Sequence, residues 1–102
     1  MKPFFVYILL CRDQSYYVGH TDDIEKRISE HNLGKGALYT AKRLPVNVVF
    51  VETFATRAEA LDSERQIKKW SRKKKESLIV GDWNQIMLLA KKCFKKAEIP
   101  QE

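Results

Sequence analysis

A chain of 102 residues that is 44% apolar can bury one core but hardly two, which argues for a single globular domain. It has no run near the roughly 18 apolar residues that a membrane span requires, which excludes a membrane-spanning protein. Nineteen Lys and Arg against thirteen Asp and Glu leave a net charge of +6, and the two cysteines, Cys11 and Cys93, suit neither a metal spacing nor a disulfide framework. The apolar stretch after Met1-Lys2-Pro3 only loosely imitates a signal peptide, because no small-residue cleavage site follows. A cytoplasmic, soluble protein with structural thiols is the expectation.

Residues 4–11 and 16–20 are apolar runs flanking the polar turn Asp13-Gln14-Ser15, the pattern of an antiparallel hairpin. Asp22, with Glu25 three residues on, gives a capping-box start to a helix over about 22–32, and Gly34 is a suitable stop. Residues 33–45 hold glycines, a proline and several cations and read as a loop. Val46 to Phe54 has the β-branched and aromatic content of a third strand. Thr56-Arg57-Ala58-Glu59 is a capping box, so a helix is expected over 57–70. Ser71 caps a short basic helix that ends at Gly81, and Asp82 with Gln85 begins a last helix through residue 96. The order β-β-α-β-α-α, with an extra C-terminal helix, is an α+β domain: residues 1–80 form the body, the basic amphipathic helix 82–96 docks on it, and 97–102 is a flexible tail.

Two helices carry side chains that simple packing explains poorly. At about 100° per residue, Ile24 and Ile28 define the apolar stripe of the first helix. Arg27 and His31, spaced i and i+4, point together along its edge. In the helix after the third strand, Ala60, Leu61 and Ile67 mark the inward stripe, and Glu64 falls near its centre. A carboxylate facing a core is costly unless a cation or a metal ion meets it. It either forms a salt bridge, for example to Arg27, or serves as the ligand of a hard divalent ion such as Mg²⁺.

The positive charge is concentrated. Between Glu64 and Glu76 stand Arg65, Lys68, Lys69, Arg72, Lys73, Lys74 and Lys75 with no acid among them, the footprint of a protein that meets phosphates or, alternatively, a solvated helix face. Trp70 sits among these cations, where it can stack on a base or close the end of the helix core. The last helix sets Trp83, Ile86, Met87, Ala90, Cys93 and Phe94 on one side and lysines on the other, which suits docking on the domain or, alternatively, a membrane-surface or partner-binding role.

Phe5-Val6-Tyr7, then Tyr17-Val18-Gly19, Arg27, His31 and a later helical Glu64 together resemble the GIY-YIG nuclease superfamily, and more narrowly the small single-domain GIY-YIG proteins of bacteria. The resemblance covers roughly residues 4–80. It implies a small three-stranded antiparallel sheet flanked by helices, and cleavage of phosphodiester bonds in nucleic acid, DNA more than RNA, with one Mg²⁺ or Mn²⁺ ion. By that resemblance Glu64 holds the metal, Arg27 binds the scissile phosphate, and Tyr7 and Tyr17 line the site. Tyr7, or His31 in its place, takes the proton from the attacking water. Gly19 is expected where the backbone is closely approached. His20, Tyr39, Lys68, Lys69, Arg72, Lys73 and Lys74 are the expected nucleic-acid contacts.

The chain departs from the pattern at Phe5, where the family name has glycine, and at His20, where some members carry lysine. Phe5 and Tyr16 are expected to fill packing roles. The physical argument favours histidine as the easier base at neutral pH, while the resemblance favours tyrosine. A competing function is a nucleic-acid-binding module with little or no cleavage; a weaker one is an adaptor working through the C-terminal helix.

Overall fold

The structure is a computed structural model that describes residues 2–81. The expected helix over 82–96, with its protein-partner role, and the tail 97–102 lie outside the described residues. The chain forms two compact units, Met1–Lys68 and a second that begins at Lys69.

The first unit is built on β1 (Phe4–Leu10), β2 (Tyr16–Thr21) and β3 (Asn47–Phe54), in the order β2-β1-β3 with both pairings antiparallel. β1 is therefore the central strand. Its uninterrupted apolar sequence, FFVYILL, suits burial on both faces, and Val6, Tyr7, Ile8 and Leu9 are all essentially inaccessible to solvent. The turn to β2 closes through Cys11 N–H donating to Ser15 O and Gln14 N–H donating to Cys11 O, with Gln14 at φ 72°. Pairing of β1 with β3 shifts between Ile8 and Leu9, opposite Phe50 and Val48, which leaves Val49 as the extra residue of a β-bulge.

α1 (Ile24–Asn32) is capped one residue later than expected: Asp23, not Asp22, accepts the N–H of Lys26. Ile24 and Ile28 pack against the cluster of Tyr7, Leu9, Cys11 and Val46. The loop after it is not structureless, since one helical turn, α2 (Leu38–Ala41), interrupts it. α3 (Arg57–Lys68) begins at Thr56, whose hydroxyl accepts the Glu59 N–H. It packs on β1 and β2 and buries Ala60, Glu64 and Ile67. The α+β architecture and the three-stranded antiparallel sheet agree with the sequence reading.

The second unit carries α4 (Arg72–Val80). Ser71 caps it by accepting from Lys74 N–H, and Gly81 ends it at φ 79°, a left-handed position that favours glycine. Lys74 corrects the expectation of a phosphate-facing cation. Its side chain is only 1% exposed, with Nζ 4.5 Å from the centre of the Trp70 ring, a cation–π contact that a desolvated ammonium favours.

Candidate active site

The register settles how the hairpin presents its tyrosines. Tyr7 pairs with Gly19 and Leu9 with Tyr17, and directly opposed residues share a face. Tyr7 and Tyr17 thus stand on one face of the sheet, with ring centroids 6.5 Å apart. Val6, opposite His20, belongs to the other face.

Gly19 makes the first face possible. A Cβ built there would lie 2.5 Å from the Tyr7 hydroxyl and 3.2 Å from Cε2 of Tyr17. The phenol therefore lies across the backbone of the edge strand β2, over a residue with no side chain.

The Tyr7 hydroxyl meets α1. It is 2.9 Å from Nε2 of His31, whose other nitrogen, Nδ1, is 2.8 Å from the Thr40 hydroxyl on α2. His31 and Thr40 are both fully buried, and buried polar groups of this kind require partners. His31 sits edge-on to both Tyr7 and Tyr17, at 5.7 and 5.3 Å between ring centres. Arg27, one turn earlier on α1, donates from Nη1 to Glu30 at 3.1 Å and from Nη2 to the Gly36 carbonyl at 3.0 Å. The neighbouring Tyr7 phenol favours the charged form of Arg27.

These surroundings set the protonation states. Burial pushes the Tyr7 phenol up to about 12, against the opposing effect of Arg27. His31 is lowered, first by burial and then by the Arg27 charge. At neutral pH the pair is thus a neutral phenol facing a neutral imidazole.

Glu64 approaches from the other face. One carboxylate oxygen bonds Nδ1 of His20 and the other is 2.6 Å from Lys68 Nζ. Burial raises this carboxyl, but the bonds and charges of Lys68 and His20 outweigh it and hold Glu64 below its ordinary value. The anticipated Arg27–Glu64 pair does not form; Arg27 pairs with Glu30. Because His20 follows Gly19 in β2, the two clusters flank the same two residues of the edge strand, and the Glu64 charge contributes to the rise at Tyr7.

Beside Arg27 and His20 lies a polar depression of about 400 Å³ lined also by Lys2, Lys26, Arg57, Asp22, Asp23 and Glu30, with Thr21. Among the described residues, no group of three or more His, Cys, Asp and Glu converges as a metal site would. Nor is any helix long and apolar enough to cross a membrane.

Residues 3–77 match the GIY-YIG catalytic domain. The chain belongs to the GIY-YIG family. It is 49% identical over 75 residues to the UPF0213 protein YazA of Bacillus subtilis, spanning 74% of this chain and 76% of that protein. It is 50% identical over 74 residues to the UPF0213 protein HQ_3675A of Haloquadratum walsbyi, spanning 72% and 83%. The solution NMR structure of EF2693 from E. faecalis superposes with a TM-score of 0.55 at 47% identity, covering 78% of this chain and 84% of that one. Membership in the GIY-YIG family points to nuclease chemistry.

The remaining GIY-YIG candidates scatter. Tyr39 stacks on Tyr17 at 6.2 Å between ring centres, and the Arg43 guanidinium lies 3.8 Å from its ring centre. Lys68 engages Glu64, Arg72 pairs with Glu76, and Lys69 and Lys73 are exposed. Sequence reasoning missed Thr40, Glu30 and Gly36. The signal available for them was Gly36 itself, since a Cβ there would run into the His31 ring.

Proposed function

We propose that the chain is a divalent-metal-dependent endonuclease that hydrolyses phosphodiester bonds in DNA, its substrates being structured, damaged or single-stranded DNA in repair or recombination. The observation that carries this reading is the phenol–imidazole pair of Tyr7 and His31, 2.9 Å apart and beside Arg27, with the Glu64 carboxylate behind the same segment of β2.

Glu64 fits a hard cation in a sparse way. Mg²⁺ is commonly held by one or two carboxylates, with waters and phosphate oxygens completing its shell. Both Glu64 oxygens are already bonded, so Mg²⁺ or Mn²⁺ must replace at least one partner. Lys68, with its side chain half exposed, is the one free to swing out. Once bound, the ion supplies positive charge to the non-bridging phosphate oxygens.

The remaining chemistry belongs to this chain's own side chains. Arg27 has five N–H donors, more than Glu30 and Gly36 engage, and the others are available to the scissile phosphate. The attacking water must first reach the Tyr7 hydroxyl, which the free chain buries; the Tyr7 oxygen then takes its proton as the Tyr7 proton passes to Nε2 of His31. The water oxygen bonds phosphorus, and the bond from phosphorus to the departing sugar oxygen breaks, that oxygen keeping the bonding electron pair and taking a proton from solvent water. A phenol held at about 12 need not ionise first, because it gains one proton as it gives up the other. His31 then replaces Tyr7 as the final proton acceptor without touching the water.

A second reading, a nucleic-acid-binding module with little or no cleavage, draws on the engagement of both Glu64 oxygens by His20 and Lys68. The two separate when wild type and Glu64→Ala are incubated with branched, single-stranded and duplex DNA and RNA, with Mg²⁺ or Mn²⁺ and then EDTA. A nuclease cuts with metal, stops with EDTA, and loses cutting but not binding in the variant. A binder cuts nothing.

A further inference from the structure

Thr40 lies on a single helical turn, outside every motif that pointed to the site, yet it is fully buried against the ring that faces Tyr7. Its hydroxyl has one proton and two neighbours. The Ala37 carbonyl oxygen is 3.2 Å away and His31 Nδ1 is 2.8 Å away.

A carbonyl oxygen only accepts. If Thr40 donates to Ala37, its oxygen is left to accept from Nδ1–H. The one proton of the neutral His31 ring is then on Nδ1, and Nε2 is bare. A bare Nε2 accepts, so the 2.9 Å contact is Tyr7 O–H donating to His31.

The opposite tautomer satisfies less. With the proton on Nε2, Thr40 must turn its own proton to Nδ1 and abandon Ala37. Nε2–H would then donate to the Tyr7 oxygen, and the phenol proton would lose its acceptor. The ring also has little room to rotate out of this arrangement, since a Cβ at Gly36 would come within 2.6 Å of its Cγ. The Gly36 carbonyl meanwhile holds Arg27, so the segment 36–40 fixes both α1 side chains.

We propose that Thr40 is a positioning residue that keeps His31 protonated on Nδ1 and bare on Nε2, and thereby sets the direction in which the Tyr7 proton moves; the catalytic part of this rests on the nuclease reading above. Which nitrogen carries the proton is decided by the bond the other one makes, and here that bond is to Thr40. The hydroxyl touches neither water nor phosphate and acts only through the imidazole.

Long-range ¹⁵N–¹H NMR on histidine-labelled protein reads the tautomer without substrate or metal, and the chain has only two histidines, His20 and His31. At pH 7.5 the proton of His31 is expected on Nδ1 in wild type. Thr40→Val keeps the shape and removes the acceptor, and is expected to shift the population toward Nε2–H. The single-turnover cleavage rate should fall by about tenfold, the worth of one such bond, with affinity for DNA unchanged. Thr40→Ser keeps the hydroxyl and should restore both, and it serves as the folded control should Thr40→Val fail to fold. A wild-type His31 protonated on Nε2 overturns the proposal, as does an unchanged tautomer in Thr40→Val or its loss in Thr40→Ser. If wild type cuts no substrate, the nuclease reading fails, while the tautomer measurement still decides what Thr40 does to His31.

Discussion

The hydroxyl of Tyr7 on the central strand and Nε2 of His31 on the first helix stand 2.9 Å apart inside the protein. Each explains the other's burial, since a phenol and an imidazole sealed from water each need a partner. Under the proposed function, the contact makes the two rival candidates for the base, Tyr7 and His31, consecutive members of one pair.

His31 makes stability depend on pH. Its folded value is lowered by burial, so between that value and about 6.5 the unfolded chain binds more protons than the folded one. The stabilisation is fully present above about pH 6.5 and is lost as pH falls through the folded value. Urea unfolding at pH 7.5 and pH 5 should show a larger drop in midpoint for wild type than for His31→Gln, which has no proton to take up. Equal drops would refute the linkage.

Gly19→Ala should strain the site from the other side. The new methyl lands 2.5 Å from the Tyr7 hydroxyl, and overpacking of this kind costs about 1–3 kcal/mol. Thermal unfolding is expected to show that loss, and the tautomer signal of His31 should change as Tyr7 is displaced. A variant as stable as wild type with the same signal would mean that the close approach is not a constraint.

Lys68→Ala should help the metal. The ammonium holds one Glu64 oxygen, so its removal should lower the Mg²⁺ concentration giving half-maximal cleavage severalfold. Stability should change by less than about 1 kcal/mol, because the lysine is half exposed and solvent screens the pair. A higher Mg²⁺ requirement would instead assign Lys68 a role in holding substrate.

Much of the fold was legible because local signals agreed with the tertiary structure. The doubly buried FFVYILL run became the central strand, and Thr56, Ser71 and Gly81 cap helices where the sequence put them. The site was legible only as a set of residue types. That Tyr7 and Tyr17 share a face depends on a hairpin register that composition does not specify. The turn holding Thr40 was hidden because it is fixed from outside: Arg43 bonds Asp13 at the hairpin tip and the Tyr39 carbonyl within the loop. Lys74 misled for the opposite reason. A basic run identifies charge, but it does not show that one of its members, Lys74, is buried with its ammonium over the Trp70 ring.

The most direct measurement is single-turnover cleavage by wild type and Tyr7→Phe at saturating protein with Mg²⁺, with DNA affinity measured in parallel. On the proposed mechanism, removing only the hydroxyl abolishes the path from water to His31. The predicted result is a loss of roughly a hundredfold or more in rate, in the range of general base catalysis, with affinity unchanged within about twofold, since binding draws on Arg27 and the basic surface. Cleavage by Tyr7→Phe at the wild-type rate would contradict the account.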